Sequence, residues 1–482
     1  MTGSGSLRLI PNSDGAYDLL IEYGRFDAEF GTDFFSKDRF SKSGISGFIK
    51  KNAQNIKISS VRILAAGTLL AVIPAASFLS ANALEDGAKY AMAYLYGGDA
   101  QRQIEYVART NNALQTVSPS WFDLNADGSL KLNPVSKTLV DRMRAGNIKV
   151  VPFLSNHWDR AAGVNALKNA DLLSTQIAHH ISLYGLDGVN VDIENVTESQ
   201  RGQYAEFVRL LRLKIPARKE VSVAVAANPN GWKTGWHGSY DYAALAKNAD
   251  HLMMMTYDEH YEGGPSGPVA GIGFVENSIK YALSQTTADK LVVGLPFYGR
   301  IWSVNNNSVM GKGIAIDTIN SMIKDYKAAV TFDAASQSPK AEFEIKTGDK
   351  QYVVGGKPLL PGKYVVWFED SRSLQAKLSL VRKYDLKGAG SWALGQEDAS
   401  IWNDYGVWLN GGNPAKDADG KAQSKPSVIE SAVYTVVAGD SLWKISQKFG
   451  MTVDNLKAYN KLTSDVIKIG QKLAIPPSAP RQ

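Results

Sequence analysis

The stretch with the densest chemistry is Gly185–Leu186–Asp187–Gly188–Val189–Asn190–Val191–Asp192–Ile193–Glu194. On a strand, alternate residues share a face. Asn190, Asp192 and Glu194 therefore point one way, and Val189, Val191 and Ile193 the other. Two carboxylates two residues apart in a confined space raise each other's affinity for a proton. A carboxylic acid can be held protonated near neutrality by that means, ready for general-acid work. The competing reading of an isolated Asp-x-Glu is a buried acid network without catalysis.

Elements that would position this row follow from the pattern beyond residue 87. Short apolar runs alternate with helical stretches. Strands are expected at 89–96, 114–118, 148–154, 188–193, 221–227, 251–257, 291–298 and 388–394, with helices between them such as 174–184, 199–213 and 275–284. Eight buried-type strands separated by helices predict a (β/α)8 TIM barrel, an α/β fold. The apolar 189/191/193 face then lies under the helices and the polar row fills the lumen. Glu194 falls at the strand's C-terminal end, where barrel active sites sit. The gap between the seventh and eighth strands is too long for one crossover helix, which predicts a small α+β insertion at about 303–362.

Outside the barrel, residues 1–60 form a small N-terminal region of unassigned role, with strands expected at 7–11 and 17–23 around the turn-rich 12–15. A basic run (Lys50, Lys51, Lys57, Arg62) precedes Ile63–Leu79, which is apolar or small throughout. The hydrophobic segment 61–83 has three readings. It is a signal sequence cleaved at Ala81–Asn82–Ala83, a membrane anchor through 61–80, or a buried helix. Residues 411–432 are rich in Gly, Ala, Lys, Asp, Ser and Pro and read as a linker. The block 433–477 reads strand, helix, helix, strand, a βααβ unit whose small core suits recognition.

The fourth-strand stretch resembles the Asp-x-x-Asp-x-Asp-x-Glu signature of glycoside hydrolase family 18, the chitinase-like barrels. Met255–Thr256–Tyr257–Asp258 is similar to that family's sixth-strand motif, Leu291 to Arg300 to its seventh, and Trp392 to the Trp of its eighth. The resemblance covers roughly residues 87–410. It implies substrate-assisted retaining hydrolysis, with Glu194 as acid, Asp192 and Tyr257 on the substrate acetamide, and Trp392 flooring the sugar subsite. Asn190, Asp258 and His260 are further substrate-binding candidates. Asn190 stands where the family has Asp, and with no acid there to share a proton Asp192 is expected to stay ionised over a wider pH range. The third strand ends Leu154–Ser155–Asn156–His157 instead of Ser-x-Gly-Gly. Both departures, with Tyr257–His260, Gly267–Ala270 and Val366–Asp370, look like the spore cortex-lytic N-acetylglucosaminidase branch.

The C-terminal block resembles a LysM module from Tyr434 to Trp443 and from Asn460 to Pro476. The resemblance implies an N-acetylglucosamine groove between two loops, with Gly439, Asp440, Ser441 and Leu442 on one side and Asp465, Val466 and Ile467 on the other. Trp443 and Phe449 are expected in the small core. A linker of this length reaches roughly 25 Å and would raise the local glycan concentration at the barrel mouth.

Composition narrows the alternatives. The 482 residues include no cysteine, which excludes disulfides, thiolate metal sites and cysteine nucleophiles. Six scattered histidines make no metal cage, so no metal and no cofactor are expected. The net charge of +6 suits an anionic wall, and the absence of a basic block or phosphate-binding loop argues against nucleic acid. The expectation is an exported hydrolase of spore-cortex or cell-wall peptidoglycan, free or membrane-anchored, located in the spore envelope or wall. A chitinase and a non-catalytic glycan-binding protein of the coat or wall are the alternatives.

Overall fold

The computed structural model describes the backbone of residues 5–11, 17–23, 58–65 and 68–74, then residues 88–411 apart from 306 and 307, and parts of 432–475. Two units divide at 89/90.

In the first unit, Gly5–Pro11 pairs antiparallel with Tyr17–Tyr23, which pairs in parallel with Ile58–Ala65; Thr68–Pro74 completes the sheet antiparallel to the third strand. Strands Ile58–Ala65 and Thr68–Pro74 stand where one of the three readings of 61–83 expected a buried helix. Val61, Ile63, Thr68, Val72 and Ile73 favour extended backbone. Hydropathy alone does not distinguish a buried strand pair from an apolar helix. Ala83 lies outside the described residues. Among the described residues no helix is long and apolar enough to cross a membrane.

The second unit contains a ring of eight parallel strands. Tyr90–Leu95 pairs with Thr116–Pro119, which pairs with Lys149–Val150. From Phe153–Ser155 the ring continues through Gly188–Asp192, Glu220–Ala226, His251–Met255, Leu291–Pro296 and Gly388–Trp392, and returns to Tyr90–Leu95. The third strand is split at Pro152, which has no amide hydrogen to give a ladder. Val151 N–H still donates to the Val117 carbonyl on one side, and Asn190 N–H to the Pro152 carbonyl on the other. The ring therefore closes as the eight-strand barrel that the sequence predicts.

Alternation along each strand sorts the core into two. Val189, Val191 and Ile193 pack outward with Tyr204, Phe207 and Leu211 of the helix Arg201–Lys214. Met92, Tyr94, Phe153, Ala224, Met253 and Val292 fill the lumen. The helices Ala170–Leu183, Arg201–Lys214 and Ile272–Leu283 begin or end within about four residues of their expected bounds.

The insertion is an antiparallel sheet of Met310–Ala315, Tyr298–Ser303, Gly362–Trp367, Ser338–Ile345 and Ala329–Asp333, in that order, with the helix Ile316–Asp325 against it. Its exit is fastened by the Val366–Asp370 run. Glu369, fully buried, accepts from Lys377 Nζ (2.8 Å) and Ser373 Oγ (2.5 Å), while Asp370 caps the helix Ser371–Lys383. In the C-terminal block Ala432–Thr435 pairs antiparallel with Lys472–Ile475, and the helix Leu442–Lys448 packs Leu442 and Ile445 onto Val436, Leu456 and Leu473.

Candidate active site

The polar row enters the lumen as its alternation requires. Asn190 is fully buried and both ends of its amide are taken. Tyr94 OH donates to Oδ1 (2.9 Å), and Nδ2 donates to Ser222 Oγ (2.9 Å). Ser222 in turn donates to Glu220 (2.8 Å), which also lies within 3.5 Å of Tyr90 OH. A chain of side-chain hydrogen bonds thus runs from the first strand across the fourth to the foot of the fifth.

Asp192 is one level higher, at the end of its strand, and 5% exposed. Its Oδ1 is buried and has no hydrogen-bond partner among the described residues. Burial pushes this carboxyl up to about 7, with the His157 imidazole opposing. Asp192 is thus far from an ordinary ionised carboxylate even with an amide at 190. Asn190 does remove a like charge from the row, but its amide is committed to Tyr94 and Ser222, so desolvation of Asp192 goes uncompensated. Glu194 is half-buried at the mouth. Burial, then the charges of Asp192 and Asp258, raise it well above the ordinary glutamate range. Each of these two acids opposes ionisation of the other, so near neutrality the pair retains a proton.

Around the acids, Trp392 is half-buried against Tyr94, Tyr96 and Phe153, with ring centroids 5.2, 5.3 and 5.8 Å away. Tyr257 follows the sixth strand and meets Tyr298 edge-on at 6.3 Å. Asp258 has φ +58° and both of its oxygens are engaged. Tyr298 OH and Arg300 Nε donate to Oδ1 (2.5 and 2.8 Å), and Arg300 Nη2 to Oδ2 (2.7 Å). Arg300 also donates to the Gly311 carbonyl (2.6 Å), linking the sixth-strand loop to the insertion. His260 faces its own loop, with Nδ1 3.0 Å from the Pro268 carbonyl. A Cβ at Gly267 would come within 2.4 Å of that imidazole, so the glycine is what lets the ring lie there. Asp192, Glu194, Tyr257, Asp258 and Trp392 gather at the C-terminal face, while Asn190 lies below them.

Several residues at this face were not singled out for roles in the sequence. Tyr298 and Arg300 stood inside the seventh-strand motif, and their two-residue spacing puts them on one face. Asn156 and His157 stood at the anomalous end of the third strand. His157 Nε2 is 2.7 Å from Asp123 Oδ1, and Asn133 holds the other oxygen (2.9 Å). Exposed Trp158 meets Trp236 at 5.2 Å, a second aromatic wall from the loops after the third and fifth strands.

In the C-terminal block, Asp440 accepts from Tyr434 OH (2.8 Å) and Val437 N–H (2.9 Å), which fixes the first loop. Ser441 Oγ accepts from Lys444 N–H at 3.2 Å, Leu442 is buried, and Asp465 is tied to Lys457. Val466 is 75% exposed, and Ile467 packs partly on the core. Gly439 and Phe449 lie outside the described residues. Trp443 is 63% exposed, which corrects its expected place in the core. Leu442 and Ile445 fill the inner side of that short helix, and one residue after Leu442 the indole is carried round to the outer side.

The family model for glycosyl hydrolases family 18 matches residues 111–397, more than half of the chain, and the LysM domain model matches 434–476. The chain is 30% identical to the uncharacterized glycosylase YvbX of Bacillus subtilis over 45% of its length and 59% of the relative's. It is 29% identical to the cortical fragment-lytic enzyme of Bacillus subtilis over 48% of its length and 51% of that enzyme's. The chain thus spans about half the length of the curated relatives it matches. In three dimensions it is similar to the Bacillus cereus spore cortex-lytic enzyme SleL, with TM-score 0.59 at 22% identity over 67% of this chain and 74% of that one.

Proposed function

Because the chain belongs to glycosyl hydrolase family 18, we propose that it hydrolyses peptidoglycan of the spore cortex or cell wall at the glycosidic bond that follows N-acetylglucosamine. The observation that carries this reading is the buried Oδ1 of Asp192, without a hydrogen-bond partner among the described residues, two residues from Glu194, whose carboxyl is pushed well above the ordinary glutamate range by burial and by Asp192 and Asp258. A buried acceptor left without a donor costs stability unless a ligand supplies one. A 2-acetamido N–H is such a donor.

Glu194 would protonate the glycosidic oxygen while the substrate's acetamide oxygen attacks C1, expelling the leaving sugar as an alcohol and forming an oxazolinium ion. Asp192 would accept the acetamide N–H, which aims the acetamide oxygen at C1 and stabilises the positive charge developing on it. Tyr257 would donate to the acetamide oxygen, and Trp392 would lie under the sugar ring. Ionised Glu194 then takes a proton from water as its oxygen bonds to C1. The oxazolinium ring opens, the anomeric configuration is retained, and the acid is restored. This substrate-assisted route departs from the two-carboxylate scheme.

The name of the cortical fragment-lytic relative supports cortex as the polymer, and the LysM match supports attachment to N-acetylglucosamine-containing glycan. Export to the spore envelope or wall follows from that substrate, and membrane attachment is not part of the proposal.

Digestion of purified cortex and vegetative peptidoglycan by the wild type and by Glu194→Gln, with products resolved by mass spectrometry, tests the reading. Fragments with reducing-end N-acetylglucosamine are expected from the wild type, with a rate lower by about 10³-fold in the variant. Cleavage of chitin oligomers with both peptidoglycans untouched would overturn the polymer assignment. Full activity in Glu194→Gln would overturn the assigned acid.

A further inference from the structure

The fourth barrel strand ends at Asp192, so the backbone of 193–195 leaves the ladder just where Glu194 must be aimed. Buried backbone groups outside a ladder need other partners. Here side chains supply them. Ile193 N–H donates to Tyr204 OH (3.2 Å), and Tyr240 OH donates to the Ile193 carbonyl (3.1 Å). Arg160 donates from Nε to the Asn195 carbonyl (2.7 Å) and from Nη2 to its side-chain oxygen (2.8 Å). Asn195 itself has φ +59°, a conformation asparagine tolerates better than most residues.

Glu194 is gripped by one residue. Asn156 Oδ1 accepts from the Glu194 N–H (2.8 Å), and Asn156 Nδ2 donates to the Glu194 carbonyl (2.8 Å). The same Nδ2 donates to the Asp159 carbonyl (2.8 Å), so the amide is fixed from its own loop as well. Asn156 is 3% exposed. Gly163, on the helix Arg160–Lys168, closes the arrangement, since a Cβ there would come within 2.9 Å of Nδ2 and 3.0 Å of Val196.

We propose that Asn156 is a positioning residue for the general acid, its side-chain amide substituting for a ladder neighbour and fixing the direction in which Glu194 presents its carboxyl. Asn156 does not reach the substrate; it acts through Glu194. The inference rests on the proposed hydrolysis for its kinetic readout. Asn156 belongs to the third-strand end Leu154–Ser155–Asn156–His157, which departs from the family's Ser-x-Gly-Gly. The clasp needs an amide at this position and a glycine opposite it at 163.

The test compares the full chain with Asn156→Ala, Asn156→Asp and Gly163→Ala on soluble peptidoglycan fragments, reading kcat, KM, thermal midpoint and pH profile. Asn156→Ala should lower kcat by about 10²-fold, because misplacing a reacting group by about 1 Å costs that much. KM should stay within about twofold. Asn156→Asp keeps the acceptor for the Glu194 N–H but turns an oxygen toward two carbonyls and adds a negative charge. The same loss of kcat is expected, with the alkaline limb of the profile moved upward. Gly163→Ala retains every hydrogen-bonding group and presses on the amide from the far side. About a tenfold loss in kcat there reads the clasp even where Asn156→Ala fails to fold. Folded variants at 156 and 163 with kcat within about threefold of the wild type would overturn the proposal.

Absence of turnover in the wild type on every N-acetylglucosamine glycan would instead overturn the function reading. The clasp is then decided by 13C NMR titration of the Glu194 carboxyl, assigned with Glu194→Gln. A titration displaced in Asn156→Ala supports it, and an unmoved one refutes it.

Discussion

Glu220 and Asp192 line the same barrel lumen, one at the foot of the fifth strand and the other at the top of the fourth, and both are almost inaccessible to solvent. Their surroundings differ. Glu220 accepts from Ser222, lies near Tyr90 OH, and feels Lys149 and Lys387. Burial raises it only to about 6. Asp192 has an oxygen with no donor among the described residues and is raised to about 7, from a lower starting point. The floor of the lumen satisfies its acid with protein groups, and the mouth leaves its acid with an oxygen that no described residue satisfies. Burial of an acid is therefore a poor guide to function; burial without partners is a better one.

Asp192→Asn breaks the comparison most sharply. Turnover should fall by about 10²–10³-fold, since the group proposed to stabilise developing charge is lost. Stability should move the other way. The folded carboxyl titrates near 7 and an unfolded one near 3.8, so between those values the folded state binds more protons. The contribution of Asp192 to stability therefore decreases as pH rises from about 4 to 7, and the decrease is complete above that range. The amide has no charge to bury, so the melting point of Asp192→Asn should gain on the wild type between pH 4 and pH 8. A variant that loses stability relative to wild type across that range would show that the carboxylate is well solvated.

Asn190→Asp tests the polar chain between the two acids. It removes the donor to Ser222 and places a third carboxyl beside Asp192. The pH–rate profile should shift upward, and kcat at neutral pH should fall by roughly tenfold. An unchanged profile would mean that position 190 does not sense the acids.

Glu220→Gln should do least to activity, within about threefold on soluble substrate. Its mark is on stability. A folded value near 6 against about 4.5 unfolded makes the contribution of Glu220 to stability decrease as pH rises through that interval, and the variant should lack this loss. Differential melting curves at pH 4 and 7 read it. A large kcat effect with unchanged melting would tie the floor to catalysis.

Much of this arrangement was legible from strand periodicity. The 2-residue alternation of 188–194 fixes which side chains share the lumen whatever the neighbouring strands are, and the Tyr298–Arg300 spacing carries the same information. Asn156 was not legible, because its partner is 38 positions away and the contact exists only once two strands lie in register. The apolar run 63–74 misleads for a related reason. Hydropathy adds up along the chain, whereas strand pairing depends on a partner elsewhere. Trp443 shows the converse error, in which an aromatic in a small domain is assigned to its core although two aliphatic residues on the same helix already fill it.

Arg300 has a bearing on engineering. One guanidinium grips Asp258 at the C-terminal face of the barrel and the Gly311 carbonyl inside the insertion. The insertion is therefore not an exchangeable cassette. Recombining it with a foreign barrel transfers half of a bidentate contact, and a chimera keeps its cleft geometry only where donor and recipient bring the arginine and the aspartate together.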